Sequence, residues 1–98
     1  MTIEISKNAE AATITVVGRL DTTTAPALDK AINEDIVDVK NLVLDVQAME
    51  YISSAGLRGL LGAQKKMQKI GSMKVVNVCQ EVMEVLEMTG FADILVIE

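Results

Sequence analysis

Ninety-eight residues fit one compact domain, and a composition that is 50% apolar but only 2% aromatic calls for a core closed by Val, Ile, Leu and Met. A formal charge of -5 without a single histidine argues against nucleic acid as a partner and leaves a serine nucleophile without its usual base. No apolar run reaches the roughly 20 residues that cross a bilayer, the first residues do not form a signal peptide, and Cys79 stands alone, so the expectation is a cytoplasmic domain without a membrane partner or a disulfide.

In chain order, "TIEIS" and "ATITVVG" alternate apolar and polar residues, placing Ile3 and Ile5, then Ala12, Ile14 and Val16, on one face each. They predict two half-buried strands, and the polar "KNAE" between them predicts a hairpin, hence an antiparallel pair. "GRLDTTTAPALDKAINEDI" changes period. Leu28, Ala31, Ile32 and Ile36 recur at helical spacing, with Thr23 or Thr24 as cap and Pro26 in the first turn, where a missing donor costs nothing.

"NLVLDV" and "MKVVNV" are short, nearly continuous apolar runs and predict central strands buried on both faces. Between them Leu57, Leu60, Leu61, Met67 and Ile70 form one side of a helix that stops near Gly71, with Arg58, Lys65, Lys66 and Lys69 on the other. "QEVMEVLEMTG" predicts a third helix with Val82, Val85 and Leu86 inward, Glu81, Glu84 and Glu87 outward, and Gly90 as a left-handed stop. "DILVIE" reads as a final strand. The order β, β, α, β, α, β, α, β, without linker or repeat, predicts one α/β domain over residues 1–98. Its sheet should be mixed and mostly parallel, with an antiparallel N-terminal hairpin and helices packed on it. Cys79 reads as a small core filler, Met83 and Met88 as core packing, and the basic stripe of Arg58, Lys65 and Lys69 as a solvated helix face.

The segment "YISSAGLRGLL", Tyr51 to Leu61, carries the chemistry. Nucleophilic catalysis by Ser53 or Ser54 lacks a base, since Arg58 cannot deprotonate a hydroxyl. Asp21 and Asp45 lie in no metal-ligand loop, and "SSAGLRG" lacks the glycines and lysine of a phosphate-binding loop, so neither metal nor nucleotide cofactor is expected. Either serine can cap the helix that begins here. The small Ala55 and Gly56 in the first turn leave the hydroxyl uncovered and admit another backbone, an arrangement suited to a kinase substrate. A phosphate at Ser54 would be tolerated by the helix N-terminus while altering any surface that docks there.

These features, with "GRLD" followed by Thr24 and Ala25, the strand "LVLDV", and "TGF" near the end, resemble the STAS domain from Ile3 onward. That is the family of sulphate transporter and anti-sigma factor antagonist domains, and the closer resemblance is to free-standing bacterial anti-sigma factor antagonists. In that family the serine directly after an aspartate is the phosphorylation site; alignment through Gly56 puts Ser54 there, with Ser53 in place of the aspartate. The resemblance implies a non-enzymatic regulator whose Asp21, Thr22 and Thr24, with Ser53, Ala55, Gly56 and Arg58, meet the partner. The unmodified protein would bind an anti-sigma factor that is also a serine kinase and so free a sigma factor. Phosphorylation would release it, and a metal-dependent serine phosphatase would reset it. The rival reading is a STAS subunit of a membrane transporter complex, with the serine as a structural cap. The apolar "ILVI" near Glu98 predicts weak dimerisation through a poorly covered edge.

Overall fold

The computed structural model describes residues 2–98. Strands β1 (Thr2–Asn8) and β2 (Ala11–Leu20) form the expected antiparallel hairpin, turning at Ala9, which takes a left-handed φ of 57°. Helix α1 (Ala25–Lys30) continues as a π-helical turn over Ala31–Asp35 and leads to β3 (Asn41–Asp45). A short strand, β4 (Met49–Ile52), precedes the long helix α2 (Ser54–Ile70); β5 (Ser72–Val76) and helix α3 (Gln80–Thr89) follow. The sheet order is β1-β2-β3-β5, and β4 pairs with β2.

β2 organises this topology. Its first half pairs in parallel with β3, from Ala11 opposite Asn41 to Thr15 opposite Asp45. At Gly18, whose φ of 100° suits a residue without a Cβ, the register slips, and beyond this bulge Arg19 and Leu20 pair with Tyr51 and Ile52 of β4. The strand thus delivers its last residues beside the end of β4.

Ala12, Ile14 and Val16, Leu42 and Leu44, and Met73 and Val75 are buried in alternation along β2, β3 and β5. The intervening Thr13, Thr15, Val43, Asp45, Lys74 and Val76 are partly exposed. The helices therefore seal one face of the sheet, which corrects the expectation of strands buried on both faces. The apolar run in β3 and β5 reflects β-branched packing along half-covered strands rather than a second helical layer. β5 is not central either: its outer neighbour is a single bridge from Val75 to Ile97.

The expected final strand is the larger correction. After Gly90, left-handed at φ 81° as predicted, the chain winds through a 3-10 turn at Phe91–Asp93 and only then meets β5, through Val75 N to Val96 O at 2.8 Å and Glu98 N to Val75 O at 3.0 Å. Leu95 is buried, while Ile94 and Val96 are exposed. The fully buried Gln64 holds this segment, its amide nitrogen donating to Met73 O and its oxygen accepting from Val96 N, both at 3.4 Å. Ile5 and Ile70, expected inside, are exposed, because β1 is an edge strand and Ile70 is the last residue of α2.

Candidate functional site

The parallel pair β2 and β4 ends at one edge of the sheet, where β4 runs straight into α2 and β2 reaches α1 through a short loop, the place where open α/β sheets expose loops and helix N-termini to a ligand or partner. The Ser53 amide donates to Leu20 O at 2.9 Å, which ties the two exits together.

Ser53 is the cap of α2. It has extended backbone angles, and its hydroxyl oxygen accepts from the Gly56 amide at 3.2 Å while its carbonyl accepts from Leu57 N at 2.9 Å. Ser54, the first helical residue, is exposed, and among the described residues its hydroxyl has no hydrogen-bond partner. With the capping done by its neighbour and no base beside it, that oxygen is better placed to receive a group than to attack one. No acidic residue occupies the first turn, so the positive end of the helix is uncompensated there.

Gly56 is buried rather than presented to solvent. A Cβ at this position would stand 2.7 Å from Leu20 O and 2.9 Å from Ile52 Cγ1. The backbone that closes on it belongs to this same chain, so its part in the surface is to let α2 sit on the end of β2, not to touch a partner directly.

The loop after β2 is organised by Asp21. Its Oδ1 accepts from the Thr23 amide at 3.0 Å and the Thr24 amide at 3.1 Å, and the Thr24 hydroxyl donates to Arg19 O at 2.8 Å while accepting from the Asp21 amide at 2.9 Å. The expected threonine cap is not formed: Thr24 offers no side-chain bond to α1, because its hydroxyl turns back to Arg19, and Asp21 instead holds the turn that leads into the helix. Desolvation is the largest single influence on the Asp21 carboxyl and raises it, but the hydrogen bonds from Thr24 and Thr23 and the charge of Arg19 together outweigh it and hold the group below its ordinary value. Arg19 lies 3.8 Å from Asp21 Oδ2 through Nε, and its guanidinium stacks 4.2 Å over the Tyr51 ring.

Between α1 and α2 runs a groove of about 570 Å³ that begins at Thr22 and Ala55, beside Ser54. Its α2 wall is Ala55, Gly59, Gly62 and Ala63, and its charged edges are Asp29, Arg58 and Lys66. Lys66 closes it by donating to Asn33 Oδ1 at 2.8 Å and Ile32 O at 3.3 Å, so it does not belong to the solvated stripe. Arg58, Lys65 and Lys69 are exposed as expected. Met88, read as core, is 87% exposed, because it falls in the last turn of α3 on the same side as Glu84 and Glu81. Cys79 is half-buried, with Sγ 3.5 Å from Met49 O.

The structure therefore gathers Asp21, Thr22, Ser53, Ser54, Ala55 and Arg58 around one edge, whereas Thr24 and Gly56 work from beneath it. Sequence reasoning missed the Arg19–Tyr51 stack, which depends on a bulge, and the groove itself. A usable signal for the groove existed: Gly59 and Gly62 interrupt a helix that would be stronger with alanine, on the same face as Ala55.

A family model for the STAS domain matches residues 2–98. The anti-sigma-F factor antagonist RsfB of Mycobacterium tuberculosis is 32% identical over 68 residues, covering 68% of this chain; the chain spans 56% of the length of that relative. The fold superimposes on an anti-sigma factor antagonist from Mycobacterium paratuberculosis with a TM-score of 0.87 at 28% identity, covering 98% of this chain and 83% of the other. It also superimposes on the anti-sigma factor antagonist SpoIIAA in its unphosphorylated form, with a TM-score of 0.83 at 16% identity, covering 99% and 88%. The sequence, the mixed sheet and the helix mouth at its edge thus agree, and the chain belongs to the STAS domain family.

Proposed function

We propose that the protein is an anti-sigma factor antagonist, a regulatory binding protein of one cytoplasmic domain that performs no catalysis of its own. It binds an anti-sigma factor that is also a serine kinase and so frees a sigma factor; phosphorylation of Ser54 releases it, and a metal-dependent serine phosphatase restores it. The observation that carries this reading is the division of labour at the mouth of α2: Ser53 caps the helix while the Ser54 hydroxyl stays exposed and, among the described residues, unbonded beside the Asp21 loop. The serine that replaces the family's aspartate fills the cap position, where serine and aspartate make the same bond, so the replacement leaves the neighbouring hydroxyl where a kinase would meet it. The names of the relatives point the same way. A phosphate adds a charge of about -1.5 to -2 to a docking surface, and each 1.4 kcal/mol of repulsion or desolvation lowers affinity about tenfold.

The test is incubation with the cognate anti-sigma factor kinase and ATP, followed by mass spectrometry to locate the modified residue. Phosphate on Ser54, with loss of the complex, supports the proposal. Modification elsewhere, or a complex that survives with phosphate or aspartate at Ser54, sinks it. Co-purification with transporter subunits in place of a kinase would favour the transporter reading.

A further inference from the structure

Ser54 and Arg58 are the first and fifth residues of α2, one helical turn apart. Residues at that spacing have Cβ atoms about 5–6 Å apart, and long side chains on a helix lean toward its N-terminus. The reach of Arg58 therefore runs back over the turn that carries Ser54. Arg58 is exposed and, among the described residues, has no ion-pair partner. The other arginine, Arg19, is held between Tyr51 and Asp21, and Lys66 is tied to α1. Across the groove Asp29 is the acid that faces α2, its Oδ1 against Gly59, yet it forms no ion pair with Arg58. A free guanidinium thus stands one turn below a free hydroxyl and lines the groove as well.

We infer that Arg58 is the internal receptor for a phosphate on Ser54, and that the resulting ion pair draws the guanidinium out of the α1–α2 groove. This inference rests on the proposed phosphorylation of Ser54 and adds how the mark is read. A guanidinium offers two parallel N–H donors to phosphate oxygens, a fork that a lysine ammonium lacks. Modification at the helix mouth then changes two surfaces at once: it places a dianion beside the Asp21 loop, and it leaves the groove with Asp29 as its uncompensated charge at that end.

The experiment uses the full chain with phosphoserine installed at position 54 during synthesis, so that no kinase is needed. A kinase that ignores Ser54 would then count against the proposed function without touching this measurement. Phosphorus NMR titrations compare the parent chain with Arg58→Gln. The helix N-terminus acts on the phosphate in both and cancels. With Arg58 present the second ionisation should fall about 0.2–0.4 pH unit lower, the size expected for a charge pair one turn apart. On phosphorylation, the Asp29 carboxyl carbon should shift in the parent chain and stay put in Arg58→Gln. Arg58 is exposed, so the variant should melt with the parent and a folding defect will not mimic the result. Identical titrations in the two proteins, or an Asp29 resonance that moves equally in both, would overturn the inference.

Discussion

The carbonyl oxygen of Leu20 lies where Gly56 can have no side chain: a Cβ there would come within 2.7 Å of it. The oxygen cannot retreat, because it also accepts the Ser53 amide at 2.9 Å. Gly56→Ala should therefore lift the first turn of α2 off the end of β2 and cost about 1–3 kcal/mol, read as a lower urea midpoint. Partner affinity should fall as well under fully folded conditions, since Ser54 moves relative to Asp21. Gly62→Ala is the control. A Cβ at Gly62 meets nothing within 4 Å, and the exchange should stabilise the helix by about 0.5–1 kcal/mol.

Substitutions at the two serines should act in opposite directions. Ser53→Ala removes the acceptor for Gly56 N and should cost about 1 kcal/mol. Ser54→Asp supplies the negative charge that the first turn lacks and should raise stability by about 0.3–1 kcal/mol, while Ser54→Ala stays near neutral. Thermal melts of the three variants check this, and binding separates the roles. Only Ser54→Asp should lose the partner while gaining stability, a combination that a purely structural serine would not produce.

Much of the fold was legible because its signals are periodic or steric. Ala12, Ile14 and Val16 alternate, Leu57, Leu60 and Met67 recur at helical spacing, and Gly71 and Gly90 end their helices as expected. The short β4 was not legible: Met49 and Ile52 are buried but Glu50 and Tyr51 between them are exposed, which matches no strand period. The last segment failed for a different reason. "DILVIE" has strand composition, yet its path is set by Leu95 in the core and by the side chain of a distant Gln64, long-range contacts that propensity does not encode. At the site, the structure brings Ser54 and Asp21, both named from the sequence, to the same edge, but the choice of Ser53 over Ser54 as cap was not legible. Both are good caps, and which one serves depends on the register in which β4 delivers the chain to α2.

The turn held by Asp21 should give the protein an acid-sensitive element. Its carboxyl is held below the ordinary 3.8, so between the lowered and ordinary values the unfolded chain binds more protons than the folded one. The stabilisation is therefore fully present above 3.8, is lost as pH falls through the lowered value, and is absent in strong acid. Asp21→Asn keeps an oxygen for the Thr23 and Thr24 amides but removes the charge. Its stability should lie below that of the parent at neutral pH and converge with it on acidification. Asp38 is lowered as well, first by the hydrogen bond from Lys7 at 2.7 Å, which lies opposite Ala12 at the start of β2. An Asp38→Asn background isolates the Asp21 limb, and parallel curves for Asp21→Asn and its background would show that the turn does not depend on charge.

Gln64 poses the last question, because it is 1% exposed and its two bonds, at 3.4 Å each, are long. If they matter, they do so by tying β5 and the C-terminal segment to α2. Gln64→Met keeps the volume and removes both bonds, and should cost about 1 kcal/mol, whereas Gln64→Ala adds a cavity and should cost roughly 2–3 kcal/mol. Hydrogen exchange gives the sharper reading. In Gln64→Met the Val96 and Glu98 amides should exchange faster while those of β3 keep their protection, since the loss is local. If Glu98 exchange is unchanged, the burial of Leu95 alone holds the end of the chain against Val75, and the glutamine serves only to satisfy the Met73 carbonyl inside the core.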